Sequence, residues 1–236
     1  MRNERWYGRA ITVSVALTLA LACAQPVAIP ANRYGLQVVP DVTTYRALAA
    51  RNHGKELVDV ATAVPGIRID VRYATPDNFM HEPLYPMARV FLRRPAAEAL
   101  RAVQHDLAAQ HLGLKVFDGY RPYRVTEKMW EPYKNPDYVA DPAKGSRHNR
   151  GAAVDLTLVN LETGEEVAMP TPYDDFTKKA WQDYMELTPE VLRNRATLRD
   201  AMRAHGFEPL PSEWWHFDFQ GWKDYELMDV DLRELP

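Results

Sequence analysis

The sequence predicts an α+β fold in a single domain, with helices packed on an antiparallel central sheet. The chain has 236 residues, of which 46% are hydrophobic, and this is enough for one sizeable core. Segments with helical and with strand periodicity are segregated along the chain rather than strictly alternating, which favours α+β. No repeat, low-complexity block or Gly/Ser linker interrupts residues 57–236, so we expect this range to be one domain.

The first half of this range predicts two strands and two helices. Apolar and polar residues alternate over residues 66–73, as in a strand with one face against the core. Pro95 suits the first turn of a helix, and the apolar stripe that follows ends at Gly113. A short buried strand over residues 114–118 comes next, followed by a turn and a second helix over residues 122–133.

The second half predicts a hairpin, a helix and a final strand. Residues 152–160 and 165–169 flank the sequence Leu-Glu-Thr-Gly, which is typical of hairpin turns because its glycine can adopt a positive φ. Thr188, followed by proline and glutamate, caps a helix that leads to Gly206. A last strand is predicted for residues 213–219.

Charge and cysteine content exclude several classes of function. Lys and Arg total 29 against 32 Asp and Glu, and no basic stripe is present, so the surface that nucleic-acid binding requires is missing. The only cysteine is Cys23, which leaves the folded domain without a disulfide, a cysteine zinc site or a thiol nucleophile. A catalytic metal would therefore bind to His, Asp and Glu side chains.

The first 24 residues are typical of an export signal. Arginines near the N-terminus precede an apolar run over residues 10–22, and Ala-Cys-Ala then forms a cleavage site. The run is shorter than the roughly 20 residues that cross a bilayer, so a membrane anchor is the weaker reading. A lipoprotein signal, with a lipid anchor at Cys23, is the stronger alternative. We expect residues 1–24 to be removed, residues 25–56 to form an N-terminal extension, and the protein to act in the periplasm or cell envelope.

Two strand segments place polar residues where a metal could bind. In residues 153–158 the even-numbered side chains are large and apolar, whereas Asp155 lies on the opposite, small and polar face. A carboxylate in the middle of a strand is costly to bury without a metal or cation. In the last strand His216 lies on the face opposite Trp215, and it can face where Asp155 faces if the two strands share a sheet.

His148 completes a possible set of three ligands. It lies seven residues before Asp155, in a loop that enters the same strand. Two imidazoles and one carboxylate match the ligands of an open catalytic zinc site, in which water takes the fourth position. Glu213, three residues before His216, is suited to take a proton from that water and pass it to a leaving amine.

Several separated motifs resemble the zinc D-alanyl-D-alanine carboxypeptidase and dipeptidase family. Ser-x-His-x-x-Gly-x-Ala-x-Asp over residues 146–155 and Glu-Trp-Trp-His over residues 213–216 resemble the family's signature. Asp-Gly-Tyr-Arg-Pro over residues 118–122 and Tyr-Ala-Thr over residues 73–75 narrow the resemblance to the VanX-like D-Ala-D-Ala dipeptidases. The motifs occur in the family's order and extend over residues 57–219.

The resemblance implies a hedgehog/zinc DD-peptidase-like fold and a zinc metallodipeptidase that hydrolyses D-Ala-D-Ala into two D-Ala. One Zn²⁺ per subunit would be bound by His148, Asp155 and His216. Glu213 would be the general base, and Arg121 would stabilise the oxyanion of the tetrahedral intermediate, a task that suits a permanently charged guanidinium.

The resemblance also implies substrate contacts. Tyr73 and Asp174 would lie near the ammonium of the dipeptide, and Ser146 and Tyr85 near its free carboxylate. If exported, such an enzyme would act in cell-wall turnover or scavenging. Two alternatives remain open: a zinc DD-carboxypeptidase or LD-endopeptidase acting on muropeptides, and a zinc-stabilised wall-binding module without turnover.

Overall fold

A computed structural model describes residues 26–136 and 139–236 of the chain. The predicted export signal and the predicted lipidation site at Cys23 lie outside these residues. Across the two described ranges, we find no helix with both the length and the apolar character needed to cross a membrane.

The described residues form nine strands and five α-helices. The strands are β1 (Val38–Val39), β2 (Leu57–Asp59), β3 (Arg68–Ile69), β4 (Phe91–Arg93), β5 (Leu112–Asp118), β6 (Ala153–Asn160), β7 (Phe207–Pro209), β8 (His216–Phe219) and β9 (Leu227–Met228). The helices are α1 (Val42–Arg51), α2 (Val60–Ala63), α3 (Arg94–Ala108), α4 (Tyr123–Tyr133) and α5 (Pro189–Ala204).

A five-stranded sheet in the order β3-β5-β6-β8-β7 forms the centre of the molecule. β3 pairs with β5 in parallel, and all the other neighbours in this sheet are antiparallel. Helix α3 packs against β5 and α5, and its Leu100, Val103 and Leu107 are fully buried, as the apolar stripe predicts. The mainly antiparallel sheet with helices packed on it confirms the predicted α+β class.

Residues before the predicted domain boundary at residue 57 also pack on the core. β1 pairs in parallel with β9 near the other end of the chain, and β2 pairs with β4. Tyr45 of α1 is buried, and its hydroxyl accepts a hydrogen bond of 2.7 Å from the N–H of Leu57. The division into an extension and a catalytic domain stays a prediction.

Strand β3 is shorter than the alternation over residues 66–73 predicts. Only Arg68–Ile69 form a strand, at the edge of the sheet. After Asp70, whose N–H donates to the carbonyl of Val116, the chain leaves the sheet and forms a 3-10 turn. This turn places Tyr73 in the core, so the apolar alternation serves burial rather than a longer strand.

Helix α3 ends at Ala108, earlier than the predicted end at Gly113. His111 adopts the left-handed conformation in the connection that follows, with a φ of 58°. Gly113 instead belongs to β5, where a Cβ atom would lie 2.7 Å from Cδ2 of Leu161. Glycine is therefore required there for close packing rather than for ending the helix.

The predicted hairpin after β6 forms only in part. Gly164 takes the positive φ expected for it, at 79°. The return segment over residues 165–169 makes a single bridge between Glu166 and Val159 instead of a regular strand. Pro170 follows directly, and proline cannot donate the hydrogen bond that a continuing ladder would need.

Candidate metal centre

Three buried side chains from separate parts of the sequence converge on one point. His148 Nε2 lies 3.1 Å from His216 Nδ1 and 3.4 Å from Asp155 Oδ1, and these last two atoms are 3.0 Å apart. Tetrahedral zinc with bonds of about 2.0–2.2 Å holds its ligand atoms about 3.3–3.6 Å apart. The three atoms therefore need only a small outward adjustment to bind one such ion.

Backbone pairing brings two of these residues together. Asp155 on β6 and His216 on β8 are direct partners in the antiparallel ladder. Asp118 at the end of β5 pairs with Asp155 from the other side, after a bulge that follows Val116. The strand register thus brings Asp118, Asp155 and His216, from the adjacent strands β5, β6 and β8, to one place.

A 3-10 turn before β6 supplies His148. Gly151 ends this turn with a φ of 67°, which favours glycine, and a Cβ atom there would lie 2.5 Å from Cδ2 of Leu57. The glycine of the Ser-x-His-x-x-Gly pattern is thus needed both for the turn and for its close approach to β2.

Hydrogen bonds fix which ring nitrogen of each histidine is free. Nδ1 of His148 donates to the carbonyl of Gly119 at 2.8 Å, and Nε2 of His216 donates to Oδ1 of Asp218 at 2.9 Å. Because these nitrogens must donate, Nε2 of His148 and Nδ1 of His216 are the atoms that could offer a lone pair to a metal ion. Partners of this kind orient histidines for metal binding.

The two carboxylate oxygens of Asp155 have different surroundings. Its Oδ2 accepts from the hydroxyl of Tyr173 at 2.9 Å, whereas its buried Oδ1 makes no well-directed hydrogen bond in the described residues. Although burial alone would raise the pKa of Asp155, His148 and His216 hold it below its usual range. Such an orphaned carboxylate oxygen, beside two imidazole lone pairs, fits a divalent cation with the ligand preferences of zinc.

Glu213 lies beside this cluster, in a turn rather than in the predicted last strand. β8 begins at His216, and the N–H of Glu213 donates to the carbonyl of Leu210 at 3.3 Å. Oε2 of Glu213 is 3.9 Å from Nδ1 of His216. Burial raises the pKa of Glu213 above its ordinary value, which brings this carboxyl closer to the range useful for proton transfer near neutral pH.

Arg121 reaches the same point and is held by Asp118. Its Nε and Nη2 donate to Oδ2 of Asp118 at 3.0 and 2.7 Å, and Nη2 lies 4.0 Å from Oδ2 of Asp155. The side chain is buried, and its hydrogen bonds to Asp118 use Nε and Nη2 rather than Nη1. The guanidinium is thus fixed on one side and keeps donors available on the other.

A cavity of about 390 Å³ joins these groups. Its walls include all three clustered side chains and most of the other residues predicted for the site, namely Glu213, Arg121, Ser146, Tyr73 and Asp174. The remaining wall combines apolar side chains, among them Phe79, Met129, Phe176, Trp215 and Trp222, with the charged residues Asp141, Lys144, Arg147 and Arg150. The arrangement suits a small polar ligand with apolar side groups.

Tyr73 and Asp174 form a pair at the cavity wall. The Tyr73 hydroxyl donates to Oδ1 of Asp174 at 3.1 Å, and Oδ2 of Asp174 is buried with no partner among the described residues. Asp174 has a φ of 61°, a conformation that aspartate tolerates better than most residues. Burial raises the pKa of Asp174 well above the ordinary value, and the nearby charge of Asp155 adds to this effect, which Arg121 and the Tyr73 hydrogen bond offset only in part.

Ser146 and Tyr85, both expected near the substrate carboxylate, have different positions. Ser146 lines the cavity, and its Oγ accepts from the N–H of His148 at 3.2 Å. Tyr85 is buried and is not among the cavity-lining residues; its hydroxyl donates to Oδ1 of Asp118 at 2.7 Å. Tyr85 therefore contacts Asp118, the partner of Arg121, instead of lining the cavity.

Three residues outside the predicted set also orient the site. Asp118 stands in the Asp-Gly-Tyr-Arg-Pro motif, where the spacing of three to Arg121 is the available signal. Asp218 follows His216 by two positions and so shares its strand face. Tyr173 comes after a proline-rich segment without periodicity, and nothing in the sequence relates it to Asp155.

Comparisons with known proteins cover this whole site. A family model, Peptidase_M15, described as D-ala-D-ala dipeptidase, matches residues 53–229. A D-alanyl-D-alanine dipeptidase of Escherichia coli (strain K12) is 34% identical over 173 residues, which cover 73% of this chain and 89% of that protein. One from Enterococcus faecium is 35% identical over 174 residues, covering 65% and 86%. A solved LdcB LD-carboxypeptidase overlaps with a TM-score of 0.41 and 18% identity, over 72% of this chain and 70% of that one.

Proposed function

The chain belongs to the D-Ala-D-Ala dipeptidase family of the M15 peptidases, and we propose that its cavity hydrolyses the single amide bond of D-alanyl-D-alanine with one Zn²⁺. The observation that carries this proposal is the convergence of His148, Asp155 and His216 around an orphaned carboxylate oxygen, with Glu213 beside it. A metal site that served structure alone would need neither Glu213 nor Arg121 at the cavity, which argues against a non-catalytic wall-binding module.

Glu213 carries the proton in the proposed reaction. When bound, Zn²⁺ polarises the scissile carbonyl and lowers the pKa of a coordinated water to about 7. As water adds to the carbonyl carbon, the Glu213 carboxylate takes one of its protons. The same carboxyl then gives this proton to the nitrogen of the leaving D-Ala while the C–N bond breaks. The raised pKa of Glu213 suits both transfers.

Arg121 and the polar wall residues hold the substrate in this proposal. The bonds from Arg121 to Asp118 use Nε and Nη2, so the Nη1 donors can stabilise the negative charge that develops on the carbonyl oxygen. Oδ2 of Asp174 gains its missing partner when the dipeptide ammonium binds. Ser146 contributes to binding of the free carboxylate from the His148 side of the cavity.

An assay with chelation and zinc addition tests the activity. Residues 25–236 should release D-Ala from D-Ala-D-Ala, lose this activity on chelation, and recover it when Zn²⁺ is restored. A tripeptide ending in D-Ala-D-Ala should react at least roughly 10²-fold less efficiently, because acylation of the ammonium leaves Asp174 buried without its partner. Rates of D-Ala release for each peptide provide the measurement.

The same assay distinguishes the alternatives. Equal kcat/KM for the dipeptide and the tripeptide would indicate a DD-carboxypeptidase, and preferred cleavage of an L-Ala-D-Glu bond would indicate an LD-endopeptidase. A zinc-loaded protein that hydrolyses none of these peptides but is retained on peptidoglycan would be a binding module. Each of these results would contradict the proposed dipeptidase.

Arg121→Lys should reduce kcat by about 10²–10³-fold, the loss expected when a donor to the oxyanion is removed. The guanidinium of Arg121 can bind Asp118 with one side and donate to the substrate with the other. The ammonium of lysine is a single compact group and cannot do both. Zinc content should not change, because Arg121 is outside the ligand set. Arg124→Lys is a matched control three residues further on, in the first turn of α4, where the exposed arginine contacts Asp229 and Asp231. Equal losses of kcat in the two variants would show that Arg121 has no specific role in the proposed reaction.

Export of the protein is a separate proposal, supported by the signal-like pattern of residues 1–24. We expect mature protein in the periplasm or envelope, with an N-terminus after Ala24 or a lipid on Cys23, acting in cell-wall turnover or scavenging. Mass spectrometry identifies the N-terminus and any lipid on it, and D-Ala-D-Ala hydrolysis in separated cell fractions shows where the protein is located. Activity confined to the cytosolic fraction would contradict export.

A further inference from the structure

Tyr173 makes a hydrogen bond to a predicted metal ligand and is held firmly in place. Its hydroxyl lies 2.9 Å from Oδ2 of Asp155. Its ring stacks on Phe117, with centroids 4.6 Å apart and planes at 23°, and meets the edge of Trp215 at 5.5 Å. Phe117 lies on β5 and Trp215 directly precedes β8, so the two strands beside β6 both contribute to clamping the ring.

The hydrogen bond has one direction. Asp155 is a carboxylate and can only accept, whereas the phenol of Tyr173 carries a proton, so the 2.9 Å contact is a donation from Tyr173 to Asp155. The nearest cation, Arg121, has Nη2 at 4.0 Å from Oδ2, beyond hydrogen-bond distance. Within the described residues Tyr173 is therefore the donor that occupies Oδ2 of Asp155.

This bond makes the two oxygens of Asp155 unequal. A free carboxylate can bind a metal through one oxygen or through both. Here Oδ2 is occupied, whereas Oδ1 has no hydrogen bond and lies 3.0 Å from Nδ1 of His216 and 3.4 Å from Nε2 of His148. Only Oδ1 is left to join the histidine nitrogens.

We propose that Tyr173 is a positioning residue for the metal centre: its hydroxyl keeps Asp155 a ligand through Oδ1 alone. The consequence is a tighter and more uniform metal site that retains a vacant coordination position for the reaction. This inference rests on the proposed zinc centre and goes beyond it, since Tyr173 touches neither the metal position nor the reacting bond.

The neighbouring residue gives this short segment a second role. Asp174, next in sequence, has the positive φ of 61° and places its carboxylate at the cavity wall, with Oδ1 accepting from Tyr73. One segment therefore contacts both the ligand set and the proposed ammonium position. A change at Tyr173 that moves the segment would alter KM, whereas loss of the hydroxyl alone should act on the metal.

Tyr173→Phe tests the proposal because it removes the hydroxyl and keeps the ring between Phe117 and Trp215. We expect the dissociation constant for Zn²⁺, measured by competition with a chromophoric chelator, to rise 10–100-fold, the usual effect of losing a partner that orients a ligand. The visible absorption spectrum of the Co²⁺-loaded variant should also change, since Oδ2 becomes free to bind. KM for D-Ala-D-Ala at saturating zinc should stay within about threefold of wild type.

Tyr45→Phe is the matched control. It removes a buried tyrosine hydroxyl of similar hydrogen-bond length, 2.7 Å to the N–H of Leu57, far along the chain from the ligands. It should lower the melting temperature of the metal-free protein without changing zinc affinity or the Co²⁺ spectrum.

The outcomes separate the two proposals. If wild-type protein binds no zinc, the proposed function fails and this inference fails with it. If the wild type binds zinc and hydrolyses the dipeptide, but Tyr173→Phe keeps the wild-type affinity and Co²⁺ spectrum, the positioning role alone is overturned. Equal losses of affinity in Tyr173→Phe and Tyr45→Phe would likewise overturn it, because they would reflect general destabilisation.

Discussion

Glu213→Gln should lower kcat for D-Ala-D-Ala by about 10³–10⁴-fold, at the upper end of what general acid–base catalysis contributes. Glutamine keeps the size and shape of the side chain, but it cannot take a proton from water or return one to the leaving amine. Because Glu213 is not one of the three converging ligands, the variant should still bind one zinc per chain. Steady-state kinetics and elemental analysis of the same sample measure both quantities.

Glu208→Gln is the control for this experiment. Glu208 lies on the neighbouring strand β7, is exposed, and contacts only Arg203 at 3.4 Å among charged groups in the described residues. It should change kcat by less than twofold. A Glu213→Gln variant that retained full activity would show that another group carries the proton.

His216→Ala should abolish stoichiometric zinc binding and, with it, hydrolysis. Loss of an outer partner costs about 10–100-fold in metal affinity, so loss of a ligand itself should exceed 100-fold. The substitution also leaves Asp155 and Asp218 without their imidazole partner, which adds a stability cost from the two buried carboxylates. Zinc affinity by chelator competition, and the melting temperature with and without zinc, measure these effects.

His205→Ala provides the comparison. His205 also contacts an aspartate, Asp106, through Nε2 at 2.8 Å, but it is remote from the cavity walls. Its removal should leave zinc affinity unchanged. If His216→Ala bound zinc as tightly as wild type, the ligand assignment would be wrong.

Strand periodicity alone predicts that two of the three clustered residues, Asp155 and His216, can lie on the same face of a sheet. A period of two fixes which side chains share a face, and it placed Asp155 and His216 on faces that could meet. The pattern does not specify which strands are neighbours, and the direct pairing of these two positions arises from sheet register. Local sequence signals therefore predicted the residues of the cluster but not its internal distances.

Positions set by turns and long-range contacts were less predictable. Glu213 was expected on a strand but lies in the turn before it, and Tyr85 was expected at the cavity but supports Asp118. The contact between Tyr173 and Asp155 joins a segment without periodicity to the central sheet. Such contacts depend on how loops close over a finished sheet, which no short pattern encodes.

The ladder between β6 and β8 has a consequence for how the protein matures. Asp155 and His216 are fixed to each other by main-chain hydrogen bonds and by a buried core, so their proximity does not depend on an ion. Small zinc domains such as zinc fingers, in contrast, are unfolded without their metal. We therefore expect this chain to complete folding before metallation, so that the compartment in which it encounters zinc determines where it becomes an active enzyme.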